Sequence, residues 1–219
     1  MSAAAEIPEG LPEALPEGER LLWQGRPATL PLAIEAFHLR KVAAYFGLLL
    51  AWRFGSRLHD GLPAGEALAY AAWILPLAAG ALALIAILAF ATARTTIYTV
   101  TSRRVVLRIG VALQMTVNLP LSIVESAAVK RRADGSGDIA LRLEPGVRAA
   151  YLVLWPHVRR WRFTRPEPSL RSVPDVAGVA DLLSEALAAT AVPEIQPERA
   201  QPAPAPKSRR PAALQPRVA

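Results

Sequence analysis

The sequence predicts an α+β membrane protein: a transmembrane helical hairpin near the N-terminus, then a small antiparallel β-barrel or sandwich capped by a C-terminal helix. Three observations carry this reading. Ala67 to Ala93 is a run of 27 residues without a charge, long enough to cross a bilayer with some tilt. From Thr95 onward, short β-branched segments alternate with period two between turn residues, as antiparallel strands require. Finally, Val176, Val179, Ala180, Leu183 and Leu187 share one face at helical spacing, the pattern of a helix packed on a core.

Residues 1–38 form an N-terminal segment expected on the cytoplasmic side. Its first 19 residues are rich in Pro, Glu and Ala, which predicts extended or disordered chain, and they lack the basic start of a signal peptide. The apolar centre of Gly18–Pro27, Leu21-Leu22-Trp23, reads as a strand or as an interfacial segment. Trp23 suits a membrane–water boundary or packing on the domain.

Residues 39–93 are the hairpin, with membrane helices over 39–58 and 67–93. The first has a clean apolar core of only eleven residues, Val42–Trp52, so it spans only if Arg40, Lys41 and Arg53 snorkel toward the headgroups. In the second, Pro76 and Gly80 are the positions for a kink. Arg40 and Lys41 before the hairpin, with Arg94, Arg103, Arg104 and Arg108 after it, outnumber Arg53 and Arg57 near the connecting loop. The positive-inside rule then places both termini in the cytoplasm, giving a multi-pass protein of the bacterial cytoplasmic membrane.

Residues 94–190 are the β domain. Strands are predicted at Thr95–Thr101, Arg104–Ile109, Gln114–Leu119, Ile123–Lys130, Ile139–Leu143 and Ala150–Leu154, with a turn at Asp134-Gly135-Ser136-Gly137-Asp138. The closing helix takes Pro174 in its first turn, Ser172 or Val173 before it, and Asp175 where it favours the dipole. Residues 191–219 read as a disordered basic tail rich in Pro and Ala.

The chemistry is sparse. There is no cysteine, and the three histidines, His38, His59 and His157, have no metal-ligand spacing. No P-loop, nucleophile elbow or dinucleotide fingerprint occurs. No catalytic residue, metal or cofactor is therefore assigned, and the chain is not expected to be an enzyme. His38, just before the first membrane helix, reads as a polar boundary residue or as a group approaching a tetrapyrrole magnesium. Charge is concentrated instead. Between Arg94 and Ser172 stand 14 Lys and Arg against five acids, while the whole chain carries +7. A basic domain tethered to the cytoplasmic leaflet is drawn to anionic lipid, by about 1 kcal/mol per nearby cation. Trp23, Arg40, Lys41, Arg94, Arg103 and Arg104 are the residues assigned to the membrane surface. Nucleic-acid binding lacks a motif and is not expected.

The densest cluster is Leu154-Trp155-Pro156-His157-Val158-Arg159-Arg160-Trp161-Arg162-Phe163, followed by Arg165. Trp and Arg are enriched at interface hot spots, and Arg stacks on aromatics or grips carboxylates and phosphates. Trp155, His157, Arg159, Arg160, Trp161, Arg162 and Arg165 are assigned to partner binding, with anchoring beside the bilayer as the other reading. Ala69, Ala72, Ala79, Gly80 and Ala83 give the hairpin small surfaces suited to a homodimer.

Two resemblances follow from these residues. G-E-R-L-L-W-Q-G-R-P (18–27), R-T-T-I-Y-T-V-T-S-R-R-V-V-L-R-I-G (94–110) and N-L-P-L-S-I-V-E-S (118–126) resemble bacterial PH-like domains with membrane segments ahead of the domain. More narrowly, A-F-H-L-R-K-V-A-A-Y-F (36–46), R-I-G-V-A-L-Q-M-T-V-N-L-P (108–120), D-G-S-G-D-I-A-L (134–141) and Y-L-V-L-W-P-H-V-R-R-W-R-F-T-R-P-E-P (151–168) look like the PuhB family of photosynthetic-complex assembly proteins of purple bacteria. This likeness covers residues 18–190. It implies a PH-like β domain and a non-catalytic role in assembling the photosynthetic reaction centre and core light-harvesting complex, with their subunits as partners. It supplies no catalytic residues. The alternative is a PH-like scaffold that binds anionic membrane surface without a photosynthetic client.

Overall fold

The computed structural model describes residues 9–11, 13–147, 150–160 and 162–191. The tail predicted at 191–219 thus lies outside the described residues apart from its first position, as do Trp161 and residues 1–8. In chain order the elements are β1 (Leu21–Gly25), α1 (Thr29–Glu35), α2 (Leu39–His59), α3 (Ala64–Ala72), α4 (Leu75–Thr95), β2 (Ile97–Thr101), β3 (Arg104–Ile109), β4 (Met115–Pro120), a 3-10 turn (Leu121–Ile123), β5 (Val124–Arg131), β6 (Gly137–Leu143), α5 (Tyr151–Leu154), β7 (Ser169–Val173) and α6 (Val176–Ala191).

The strands form two antiparallel sheets, ordered β1-β2-β3-β4 and β5-β6-β7. The first sheet corrects the separation of an N-terminal segment 1–38 from a domain beginning at residue 94. β1, which precedes the hairpin, pairs with β2, which follows it, with Leu21 opposite Thr101 and Gly25 opposite Tyr98. The reason is that every residue of β2 is buried, so the backbone groups on both of its edges need partners. β3 satisfies one edge and β1 the other. Trp23 packs against the core and lies over Gly25. Its place is therefore on the domain rather than at a membrane surface.

The core lies between the sheets and under α6. Tyr98, Val100, Val105, Leu107, Ile139, Leu141, Leu154 and Leu170 are fully buried or nearly so. From α6, Val176, Val179, Leu183 and Ala186 join them, with Ala180 and Leu187 partly buried against the cluster. The predicted stripe is therefore the packing face, and each large apolar side chain fully removed from water stabilises by roughly 1.5–3 kcal/mol. The helix starts later than expected. Asp175, not Ser172 or Val173, caps it: Asp175 Oδ1 accepts the Gly178 N–H at 3.2 Å, so Pro174 lies outside the first turn. At the β5–β6 turn, Asp134 Oδ1 accepts from Ser136 N at 3.0 Å and Ser136 Oγ at 2.7 Å, as expected of such a turn.

Three strand expectations shift. Thr95 belongs to α4 rather than to β2. Its hydroxyl bonds Ala91 O at 3.0 Å, and Thr92 bonds Leu88 O at 2.7 Å, so the threonines are satisfied within the helix. Ala150–Leu154 is not a strand: Tyr151–Leu154 is the short helix α5, a four-residue apolar run whose periodicity cannot separate the two. β7 was not anticipated, because S-L-R-S-V buries two serines and an arginine.

The hairpin region stands apart from the core. No residue of α2 is buried. α3 and α4 together give a strongly apolar run, Ala64–Thr95, most of it exposed. Among the described residues this is the one stretch long and apolar enough to cross a membrane. α2 is 21 residues long but carries Arg40, Lys41, Arg53 and Arg57. The break between α3 and α4 falls at Trp73 and Ile74, just ahead of Pro76, whose ring and missing N–H disrupt the preceding turn. Ile74 N turns to Ala71 O, and Arg53 Nε of α2 donates to Tyr70 O at 3.0 Å. An arginine inside the apolar hairpin thus satisfies a carbonyl at the break.

Candidate functional site

The tryptophan- and arginine-rich segment runs along the domain edge and divides its side chains between two neighbourhoods. Facing the β5–β6–β7 sheet, Glu167 is 4% exposed and receives Arg159 Nη1 at 2.9 Å, with Arg142 Nε at 3.6 Å and Arg162 Nε at 3.9 Å. Arg159 N also donates to Glu167 O at 2.9 Å. Arg142, Arg162 and Arg165 line a cavity of about 340 Å³ beside the loop after β6. Facing α1, Arg160 Nη2 reaches Glu35 Oε2 at 3.2 Å, and its Nη1 lies 3.4 Å from the His38 ring. Trp155 meets Phe37 edge to face, with ring centroids 5.5 Å apart.

His157 is corrected from a surface partner residue to a core residue. It is 1% exposed. Its Nδ1 lies 2.6 Å from Tyr98 Oη and its Nε2 lies 3.2 Å from Thr96 Oγ1. Tyr98 Oη also accepts Arg171 N–H at 3.1 Å and lies 3.5 Å from Arg171 O. Burial, with Arg171 nearby, pushes the imidazole down to about 3, and burial raises the Tyr98 phenol. Both are neutral at physiological pH.

Beneath this pair lies a buried charge network that the sequence reading missed. Arg171 is 4% exposed. Its Nε stands 3.6 Å from Asp138 Oδ2, while Asp138 Oδ1 accepts Arg132 Nη2 at 2.7 Å and Ser172 N at 2.8 Å. Burial pulls the Arg171 guanidinium below its usual range, against the pull of Asp138. Glu35 is tied to Lys130 at 3.5 Å as well as to Arg160. Burial raises Glu35, but Lys130, Arg132 and Arg160 outweigh it and hold the carboxyl below its usual range. The only sequence signal for Arg171 is a lone arginine in a strand-like pentapeptide. Glu35 gave none, because its partners are about a hundred residues away.

The expected membrane-surface residues do not share one level. Arg40 and Lys41 stand in the first turn of α2, and Arg94 in the last turn of α4, over the Phe90 ring at 5.0 Å. Arg103 lies in the β2–β3 turn and Arg104 opens β3 opposite the end of β2, four strand residues or about 13 Å along the sheet from Ile97. They therefore do not sit beside Arg94. Arg104 Nε binds buried Glu19 Oε1 at 2.8 Å, a carboxylate that also accepts Thr101 Oγ1 at 2.6 Å. Antiparallel register instead returns Arg108 opposite Ile97, to the level of the hairpin roots. Among the described residues no group of three or more His, Cys, Asp or Glu could hold a metal ion.

The family described as bacterial PH domain matches residues 39–187. An uncharacterized 23.7 kDa protein encoded in the puhA 5' region of Rhodobacter capsulatus is 44% identical over 183 residues, covering 81% of this chain and 83% of its own. No solved structure matches the chain.

Proposed function

We propose that this chain, which belongs to the bacterial PH domain family, is a PuhB-like, non-catalytic, membrane-anchored assembly factor for the photosynthetic reaction centre and core light-harvesting complex. The observation that carries the reading is the 44% identity to a protein encoded beside puhA, a reaction-centre gene region. The hairpin is the anchor. Leu48, Trp52, Trp73, Leu77 and Ile87 are each more than 60% exposed, an apolar surface that water does not favour and lipid does. The β1–β2 pairing supports two crossings over three, since both ends of the hairpin meet in one sheet. The excess of cations flanking the hairpin favours a cytoplasmic side for that sheet. The client contact falls to Arg159, Arg162 and Arg165 on the Glu167 side of the segment, where Arg162 and Arg165, with Arg142, edge an open cavity.

The test is deletion of the gene, followed by near-infrared spectra of membranes from photosynthetically induced cells. Loss of reaction-centre and core-antenna bands with normal subunit transcripts is expected; unchanged bands refute the assembly role. The second reading, a scaffold held on anionic membrane without a client, draws on the excess of Arg and Lys in the domain. A purely electrostatic contact weakens steeply with salt, whereas a packed client interface persists.

A further inference from the structure

We propose that the trough on the outer face of the β5–β6–β7 sheet, walled by Lys130, Arg159 and Arg160, takes an acidic segment of the client protein, one with carboxylates a few residues apart. The proposal deepens the client reading above and rests on it, since it names the chemistry that the client must present.

The trough follows from register. Ala128 stands opposite Ala140, and Ala140 opposite Ser169, so three short side chains form a row across the strands. Ile139 and Leu141 point into the core, and side chains alternate along a strand, so the row lies on the outer face. Beyond β7 the chain pairs once more, Val158 with Pro168, which brings Arg159 and Arg160 alongside. The result is a cavity of about 340 Å³ lined by the row together with Lys130, Arg159 and Arg160.

Charge is layered there. Glu35 takes Lys130 and Arg160, and Glu167 takes Arg142, Arg159 and Arg162, so five cations share two carboxylates. The carboxylates lie beneath: their side chains are 29% and 6% exposed, against 66% for Lys130, 42% for Arg159 and 34% for Arg160. Asp138, the acid among the described residues of the lining, already accepts from Arg132 and from Ser172 N. Exposed Glu125 and Glu144 line the neighbouring cavity instead. The trough therefore presents positive charge, and a negative partner complements it.

Two observations favour a polypeptide over a phosphate or a lipid. Lys130 stands on edge strand β5 and Arg159 beyond β7, about three strand spacings or 14 Å apart at the backbone. Each is held by its own carboxylate, so the two cations do not converge on one small anion. Carboxylates about four residues apart on an extended chain match the span. Trp155 and Phe163, both large and exposed, line a separate cavity beside His38, so the trough lacks the apolar bed that a lipid tail takes. Arg159 also joins the trough to the contact assigned above to Arg159, Arg162 and Arg165, making one continuous surface.

The test places the photocrosslinking residue p-benzoylphenylalanine at Ala128, which is exposed, and as a control at Ala112 in the turn after β3. Full-length chains are irradiated in photosynthetically induced cells, and the adducts are mapped by mass spectrometry. The adduct from position 128 is expected on another protein, within about five residues of a pair of Asp or Glu side chains, and position 112 should not give it. Lys130→Glu combined with Arg159→Glu should lower the yield about tenfold or more. Lys130→Gln, at a side chain mostly in water, keeps the fold, as an unchanged unfolding midpoint will show, and should lower it about threefold. Arg20→Glu combined with Arg103→Glu, beside Ser102 at the far end of the first sheet, should leave it unchanged. Adducts on lipid, on this chain itself or on a segment without acids, no adduct, or an undiminished yield in Lys130→Gln and the double reversal would each overturn the proposal. An acidic segment of a protein outside the photosynthetic complexes would leave the trough standing and refute the assembly client, so the two failures are told apart.

Discussion

Lowering the pH from 7.5 to 5 should destabilise the domain through His157, and replacing that residue should remove the effect. Its folded pKa of about 3 lies below the ordinary 6.5. The unfolded chain therefore takes up a proton in this window that the folded chain refuses, and stability rises with pH. The contribution is fully present above pH 6.5 and is lost as pH falls toward 3. The slope for one proton approaches about 1.4 kcal/mol per pH unit, so the loss by pH 5 is about 2 kcal/mol. Glu35 and Asp134, both held below their usual range, add their losses chiefly below this window. His38 is also depressed, but it is common to both proteins and cancels in the difference. His157→Asn keeps a polar amide beside the Tyr98 hydroxyl, where Nδ1 lies 2.6 Å away, and cannot titrate. It should cost about 1–3 kcal/mol at pH 7.5 for the altered buried hydrogen bonding, with the gap to wild type narrowing by about 2 kcal/mol at pH 5. Denaturant unfolding of the detergent-solubilised chain, followed by tryptophan emission at several pH values, measures this. Parallel pH profiles for wild type and His157→Asn would refute the buried neutral imidazole.

Three other outcomes follow from the packing. Leu183→Ala removes a side chain 1% exposed beneath α6 and should cost about 2–5 kcal/mol, read from the same unfolding curves. Glu167→Gln removes the carboxylate shared by Arg142, Arg159 and Arg162; a loss of about 1–3 kcal/mol is expected, with faster hydrogen exchange at Arg159 and Ser169, whereas Arg142→Gln, half exposed, should cost under about 1 kcal/mol. Gly110→Ala should be far worse than Gly61→Ala. Both have positive φ, but a Cβ on Gly110 would sit 2.0 Å from Leu113 O while one on Gly61 meets nothing. A cost of about 2 kcal/mol or more at Gly110, against about 1–2 kcal/mol at Gly61, separates collision from backbone strain.

Local periodicity revealed what local periodicity determines. The stripe Val176, Val179, Leu183 and the alternation around β2, β3 and β4 needed only neighbouring residues to be read, and the bacterial PH domain match agrees with them. Long-range pairing was less legible. Whether Leu21–Gly25 is a strand or an interfacial segment depends on β2, more than seventy residues later. The candidate site suffered most. Spacing placed Trp155, His157, Arg159 and Arg160 in one cluster, but their directions depend on Glu35, Tyr98 and Glu167, which arrive from α1, β2 and the approach to β7. β7 itself was hidden because it buries Ser169, Arg171 and Ser172, while its backbone N–H groups at Arg171 and Ser172 bond Tyr98 Oη and Asp138 Oδ1, partners that no short window shows.

The β1–β2 ladder also sets an order of events during synthesis. Seventy-one residues separate Gly25 from Ile97, so at roughly 5–20 residues per second β1 waits about 4–14 s for its partner. On the proposed anchoring, the hairpin enters the membrane during that interval. If it enters the bilayer in an odd number of passes, β1 and β2 end in different compartments and the sheet cannot close. The outer edge of β2 is then left unpaired, a surface prone to aggregation and proteolysis. Under the proposed membrane anchoring, β1 would therefore act as a clasp that closes on β2 only when both ends of the hairpin lie on one side of the bilayer.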